Sequence, residues 1–451
     1  MNPEDPTGAA PPAELLFGLE DRPPFWIALF AALQHLLAIF VPIITPPLLI
    51  CGALKCDVPT TTTIVALSLF ISGVSTWIQV RRIGPLGSGL LSIQGTSFTF
   101  VGALIAIGQT GGLPLIFGVC LAGSLVEMVI SRFIPLVRRL IPPLVSGIVV
   151  TLIGLSLVGA GAFNCAGGGA AMADGTFGQL RHLALAGLVL TVILGLNRSR
   201  NALVRMGSIV AGLLAGYAVA ALLGRVDFRP IAELDRVVLP IPFQYGLSFR
   251  WSAFIPVALL YVVTSIETVG DITATSIVSR QPIVGPLYGK RLAGGMLGDG
   301  FNSALASAFN TFPNTTFSQN NGVIQLTGIA SRAVGYWIAG LLILLGLSPL
   351  VSGVFALMPE PVLGGGTLLM FGTVAAAGIR IIAQQPLDRR ALLILAASLG
   401  TGMGVVLAPD VLKALPEWAR HIFASGAVTG GLTAVLCNAL LPDRGTPQKP
   451  L

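Results

Sequence analysis

The sequence predicts an all-α polytopic membrane protein of about fourteen spans in two inverted halves, with short β-strands in the broken third and tenth spans. Three observations carry this. Of 451 residues, 54% are apolar and 10% charged, against roughly 25% charged in an average soluble domain. Long apolar stretches recur from end to end, among them PFWIALFAALQHLLAIFVPII, LPLIFGVCLAGSLVEMVI and ALLILAASLGTGMGVVLA, each near the ~20 residues that cross a hydrocarbon core as a helix. Finally, IPPLVSGIVVTLIGLSLVG and PEPVLGGGTLLMFGTVAAAG align at one offset, placing Pro143, Gly147 and Gly154 on Pro361, Gly365 and Gly372. If these open the fifth and twelfth spans, the second lies an odd number of spans after the first, so the halves have opposite orientation.

In order, the spans are expected at 26–48, 62–80, 90–109, 112–131, 142–161, 181–196, 206–224, 252–278, 291–311, 316–332, 334–350, 361–381, 388–407 and 422–441. The opening MNPEDPTGAAPPAELLFGLEDRPP has no basic region before its apolar residues and reads as a cytosolic tail. Segments placed inside carry Arg81, Arg82, Arg132, Arg138, Arg139, Arg198, Arg200, Arg205, Arg280, Lys290, Arg291, Arg380, Arg389 and Arg390. Segments placed outside carry Lys55, Arg181, Lys413, Arg420 and the arginines of the 225–250 loop, which also holds Asp227, Glu233 and Asp235. This bias puts both termini in the cytoplasm and explains the net charge of +7 as topology. No basic cluster alternates with aromatics, so nucleic acid is not an expected partner. Five cysteines and three histidines show no metal-ligand spacing, and no cofactor is expected.

Polar residues concentrate at a few membrane-depth positions. The third span, LLSIQGTSFTFVGAL, carries Gln94, Gly95, Thr96 and Ser97 at its middle; the tenth, NTFPNTTFSQNNGVIQLTG, carries Asn314, Thr315, Thr316, Ser318, Gln319 and Asn320. Both read as an extended piece joined to a half-helix. Extended backbone at that depth is tolerated only where protein or a watery cavity satisfies it, and half-helix N-termini favour anions or carbonyl oxygens. In YVVTSIETVGDITATS, Glu267 and Asp271 lie four apart on one helical face. Buried carboxyls of this kind are functional candidates, as ligand contacts and proton carriers. Asp299, between Gly298 and Gly300, reads either as a direct participant or as a tie between helices. Gln34 and His35 in the first span read as a network holding Asp299 or the eighth span, while Glu127 and Glu360 read as interfacial. No P-loop, H-E-x-x-H, G-x-S-x-G or Cys–His pair occurs, so neither ATP coupling nor an enzyme is expected. A channel would present a ring of charge or carbonyls; asymmetric amides, carboxyls and aromatics suit a small organic solute.

QNNGVIQLTG, residues 319–328, fits the signature [Q/E/P]-N-x-G-x-x-x-x-T-[R/K/G] of the nucleobase–ascorbate transporters, also called nucleobase–cation symporters of the second type. The chain resembles that family along nearly its whole length, through the Gln-His pair of the first span, Gln94–Phe98, Glu267 with Asp271, and Asp299. LEDRPP, QHLLAIF, GSGLLSIQGTSF and IASR are most similar to its bacterial xanthine permeases. The resemblance implies a core domain (26–131 and 252–350) that moves like an elevator against a gate domain (132–224 and 351–441). An outer loop at 225–251 and cytosolic tails at 1–25 and 442–451 complete the chain. It implies that Glu267 accepts a ring N–H of the base, that Gln319 bonds it from the other side, and that Ser97, Phe98, Phe317 and Ser318 supply backbone groups and an aromatic wall. Asp271, Asp299, Asn320 and His35 are implied in coupling or the polar network. Gln at 319, where uracil carriers of the family tend to have Glu, and Asp at 271, where the uracil carrier has His, imply a purine: xanthine, with urate (or both) as alternative and a uracil carrier or an anion carrier of the same fold behind them. Position 328 is Gly where Arg or Lys is frequent, which the pattern admits. The expected function is therefore proton-coupled purine import at a bacterial inner membrane; protons and lipid are the other partners, and a homodimer is left open.

Overall fold

The computed structural model describes residues 15–133, 142–232, 237–317, 319–416, 419–420 and 423–441. The expected site residue Ser318 and the basic residues Arg138 and Arg139 lie outside the described residues, as do Glu233 and Asp235.

The described chain is almost entirely helical. Its main elements are α1 (Phe25–Ala53), α2 (Val58–Arg81), β1 (Gln94–Thr96), α3 (Val101–Ile130), α4 (Pro143–Cys165), α5 (Leu180–Asn197), α6 (Ser208–Leu222), α7 (Trp251–Val278) and α8 (Gly285–Ala308). There follow β2 (Asn314–Thr316), α9 (Gln319–Thr327), α10 (Arg332–Leu347), α11 (Pro349–Ala356), α12 (Glu360–Ala383), α13 (Arg389–Leu407) and α14 (Gly426–Leu440). Among the described residues eight helices are long and apolar enough to cross a membrane, and the pair α10–α11, bent by 72°, makes a ninth. Exposed Leu, Ile, Phe and Trp residues, such as Trp26 and Leu222, cover much of the outside. A surface of that composition is stable in lipid, not in water. This is a multi-pass membrane protein.

The stretch expected as the third and fourth spans is a strand, a single 3₁₀ turn (Phe98–Phe100) and two helical arms within Val101–Ile130 that meet at a kink. Gly112 interrupts that helix with φ 65°, a conformation glycine adopts without a Cβ clash, and Pro114 follows to start the next arm. α1 stays helical through Pro42, Pro46 and Pro47, each of which removes a backbone donor.

Helix packing falls into two groups. In one, α2 packs on α10, and α3 packs on α7 and α8, with α1, α9 and both strands alongside. In the other, α4 packs on α12, α13 on α14, and α5 on α6 and α12. The groups touch chiefly where α7 meets α4 and α14.

The α4–α12 contact is made close by glycine. A Cβ at Gly147 would lie 2.8 Å from the Ile382 side chain and 3.0 Å from the Gly378 carbonyl. One at Gly154 would strike the Ala375 backbone and come within 2.7 Å of the Phe371 carbonyl. Gly372, which the sequence alignment pairs with Gly154, faces open space. Gly154→Ala is therefore expected to destabilise the protein by about 1–3 kcal/mol through overpacking against backbone that cannot yield. Gly159→Ala on the same helix, where a Cβ meets nothing within 4 Å, should be neutral or stabilising by up to ~1 kcal/mol through helix propensity. Thermal unfolding of both variants in detergent checks the pair.

Candidate functional site

Two three-residue strands meet deep in the first helix group. β1 and β2 pair antiparallel, with Gln94 opposite Thr316, Gly95 opposite Thr315 and Thr96 opposite Asn314. Flanking bonds from the Ser97 N–H to the Pro313 carbonyl (2.8 Å) and from the Phe317 N–H to the Ile93 carbonyl (3.0 Å) extend the ladder. Outward-facing groups are met by helix side chains. The Gln94 N–H donates to the Thr76 hydroxyl at 3.0 Å. The Asn314 N–H donates to the Ser303 hydroxyl at 3.1 Å, which in turn donates to the Asn314 carbonyl at 3.0 Å. The Asn314 amide reaches the Ser75 hydroxyl at 3.1 Å. Gly95 has to lack a side chain, since a Cβ there would lie 2.5 Å from the Phe317 ring and 2.8 Å from Ile43, both buried.

Each strand runs into a helix start. After β1, the Ser97 side chain caps the 3₁₀ turn by accepting from the Thr99 N–H at 3.3 Å. After β2, α9 begins at Gln319. α7 passes both junctions. The Thr99 hydroxyl donates to Glu267 Oε2 at 3.3 Å, the Thr316 hydroxyl to Asp271 Oδ2 at 3.0 Å, and the Thr275 hydroxyl to Asn321 Oδ1 at 2.7 Å. Phe98 packs edge-on against Phe371 of α12, with centroids 5.6 Å apart; that contact joins the two helix groups.

Exposure sorts the expected residues. Gln319 is exposed, and Glu267, Asp271 and Phe98 are half-buried, beside a Gly270 with open space around it. Ser97, Phe317, Asn320, Asp299 and His35 are buried. Within that second set, the Asn320 amide donates to the Leu91 carbonyl and the Thr268 hydroxyl to Asp299. The Gln94 amide and Thr315 hydroxyl lie beside Asp299 without closing a hydrogen bond. Neither ring nitrogen of His35 has a partner among the described residues. The arrangement is thus an accessible set of carboxyl, amide and aromatic groups over a buried polar foundation. A planar heterocycle carrying both N–H and C=O groups suits it: a carboxylate accepts, an amide donates and accepts, and a ring covers the face. Among the described residues no cluster of His, Cys, Asp or Glu suits a metal. An open apolar groove of about 440 Å³ between α3 and the start of α7, lined by Val129, Phe249 and Trp251 among others, shares none of these residues and offers no polar recognition.

Sequence reasoning missed two participants and misplaced a third residue outside the site. Thr99 and Phe371 are found only by contact, and no local pattern marks them. Glu127, expected at the membrane interface, is instead fully buried. The expectation took its place near the end of an apolar stretch as closeness to water, but α3 is covered there by α7 and α8.

Fold and site together define a membrane transporter with broken helices around a central polar site. A model of a permease family, Xan_ur_permease, matches residues 27–411. The chain is 52% identical over 441 residues to the xanthine permease XanP of Escherichia coli, covering 95% of each chain. It is 47% identical over 439 residues to XanQ of the same organism, covering 95% of this chain and 94% of that one. Identity to the uric acid permease PucJ of Bacillus subtilis is 34% over 411 residues, covering 90% and 91%. Among solved structures, the transmembrane domain of the cyanobacterial bicarbonate transporter BicA superposes with a TM-score of 0.55 at 15% identity, covering 92% of this chain and 97% of that one. SLC26A9 superposes at 0.60 and 11%, covering 91% and 65%. The chain belongs to this permease family, the nucleobase–ascorbate transporters, and is a transporter, not an enzyme.

The adjacent amides should separate in experiment. Asn320→Ala removes a buried hydrogen bond and leaves the Leu91 carbonyl unpaired, a loss of about 1–3 kcal/mol. Gln319→Ala, at an exposed position, should stay within about ±0.5 kcal/mol. Unfolding midpoints of the two purified variants against wild type decide it.

Proposed function

We propose that the protein is a proton-coupled symporter that imports a purine nucleobase, xanthine first, across a bacterial inner membrane. The observation that carries this reading is that two half-buried carboxyls of α7, Glu267 and Asp271, are hydrogen-bonded to the two strand–helix junctions, which also carry Phe98 and the start of α9 at Gln319. Similarity to xanthine permeases supports the substrate. In this reading Glu267 accepts a purine ring N–H, Gln319 reads the neighbouring dione edge with its donor and acceptor, and Phe98 and Phe317 flank the ring plane. Ser97 and Ser318 contribute backbone groups. Asp271, Asp299 and Asn320 form the network that links the substrate to the proton; His35, neither of whose ring nitrogens is paired among the described residues, is not counted in it.

The strand-bearing helix group acts as the core and the other as the gate. Their limited contact allows the core to slide, so that the site faces each side in turn. Counting the broken segments as crossings gives about fourteen in inverted halves, in keeping with the Pro143/Pro361 alignment. The arginine bias favours cytoplasmic termini. With no ATP motif in the chain, accumulation follows an ion gradient.

Radiolabelled xanthine uptake into membrane vesicles tests this directly. Unlabelled xanthine should compete best, urate less and uracil least, and a protonophore should abolish accumulation. Accumulation that survives the protonophore, or that a sodium gradient drives at equal pH, would show the coupling to be wrong. Gln319→Glu keeps the size but removes the amide donor, and should shift the competition profile away from xanthine with a loss of about 1–3 kcal/mol.

Glu267→Gln should weaken equilibrium xanthine binding to purified protein by about tenfold or more, as expected for a hydrogen bond to a charged group worth ~1.5–3 kcal/mol. Asp271→Asn should spare much of the binding and impair uptake against a gradient. Wild-type binding by the Glu267 variant would overturn its assignment, and equal losses in both would make the two carboxyls one site.

A further inference from the structure

Glu127 is a charged-type residue with no role in the site described above, yet it is the one whose surroundings are hardest to explain as packing. It is fully buried in α3, and neither carboxyl oxygen has a hydrogen-bond partner among the described residues. The position follows from the helix contacts on either side. One turn earlier, a Cβ at Gly123 would lie 2.6 Å from the Tyr261 ring of α7. On the other flank, a Cβ at Gly300 of α8 would lie 3.0 Å from the Ser124 carbonyl and 2.9 Å from the Met128 side chain. Glu127 therefore sits where α3 meets α7 and α8, beside Ser265 and within electrostatic reach of Asp299 and Glu267. The Ser265 hydroxyl does not satisfy it, because it donates to the Tyr261 carbonyl at 2.7 Å.

The other ionisable groups on the packed helices are Tyr261 and Asp271 on α7, Tyr288, Lys290 and Arg291 toward the start of α8, and His35 and Cys51 on α1. Tyr261 is committed to the Cys120 carbonyl at 3.0 Å, and Arg291 donates to Gln281 at 2.8 Å. Among the described residues no ion pair includes Glu127. A carboxylate without water, donor or counter-ion is strongly disfavoured, and a bound proton removes the difficulty. Apolar residues of similar size would fill the same space with no such penalty.

We propose that Glu127 is a proton-binding group of the transport cycle, linked to Glu267 and Asp299 as one set of carboxyls. The inference rests on the proton-coupled reading above. Glu267 stays ionised through the cycle. A purine bound to it excludes the water that otherwise screens its charge, a second charge at Glu127 is then disfavoured, and the loaded carrier takes up one proton there. Loss of the purine readmits water, the repulsion weakens and that one proton leaves. Substrate and proton then favour each other's binding, which is the linkage a symporter needs.

The test uses full-length protein in proteoliposomes with a trapped pH indicator, comparing wild type, Glu127→Gln and Glu127→Asp. Xanthine exchange at equal pH reports binding and movement; accumulation down an imposed proton gradient and xanthine-linked internal acidification report coupling. For Glu127→Gln we expect exchange within about twofold of wild type, with accumulation and acidification reduced by roughly tenfold or more. Glu127→Asp should recover part of both, since it restores a titratable group. Wild-type accumulation and acidification in Glu127→Gln would overturn the proposal. So would equal loss of exchange and accumulation in both variants, which is the signature of a packing residue. Absence of xanthine-linked acidification in wild type would remove the proton-coupled reading itself, and this inference with it.

Discussion

Everything polar in the middle of this protein depends on two three-residue strands that pair with each other. Extended backbone at membrane depth has donors and acceptors that lipid cannot meet, and two strands alone are marginal. Here the ladder from Gln94 to Thr316 satisfies one edge of each strand, Thr76 and Ser303 satisfy backbone groups on the outer edges, and Ser75 accepts from the Asn314 side-chain amide. Closure of the ladder fixes where the 3₁₀ turn at Phe98 and the helix at Gln319 begin. Those starts set what α7 meets, and so place Thr99 against Glu267 and Thr316 against Asp271.

This constraint divides the polar residues by task. Asn320, Asn314 and Asp299 are turned into the protein and hold the junction together. Glu267 and Asp271 are half-buried and Gln319 is exposed. Neighbours in sequence therefore differ in surroundings: Gln319 is open and Asn320 is buried, because successive residues on a helix point about 100° apart. Phe98, touching Phe371 from the second helix group, marks where the accessible side meets its counterpart. A shift of one helix group against the other would alter that contact first.

The fold class was legible because lipid imposes a simple rule on composition, and the broken segments were legible because Gln, Asn, Thr and Ser interrupt apolar runs that have no other reason to be interrupted. The family signature around Gln319–Gly328 and the pair Glu267–Asp271 marked the candidate site, and in the structure both border the strand–helix junctions. What stayed hidden was relational. Nothing in LPLIFGVCLAGSLVEMVI says which neighbours cover Glu127, so nearness to a span end was taken for nearness to water. Phe371 lies in an apolar run like many others, and only its approach to Phe98 distinguishes it. Gly372, which aligns with Gly154, faces open space while Gly154 packs on backbone; the alignment of the two halves does not carry over to equal packing.

The central claim is that the ligand sits at the strand–helix junctions, between α7 and the start of α9. A structure of the purified protein determined with xanthine bound tests that most directly. The account predicts density for the base with a ring N–H within hydrogen-bond distance of Glu267, the Gln319 amide on the dione edge, and Phe98 or Phe317 against the ring. Density lodged elsewhere, in contact with none of Glu267, Gln319 and Phe98, would contradict it.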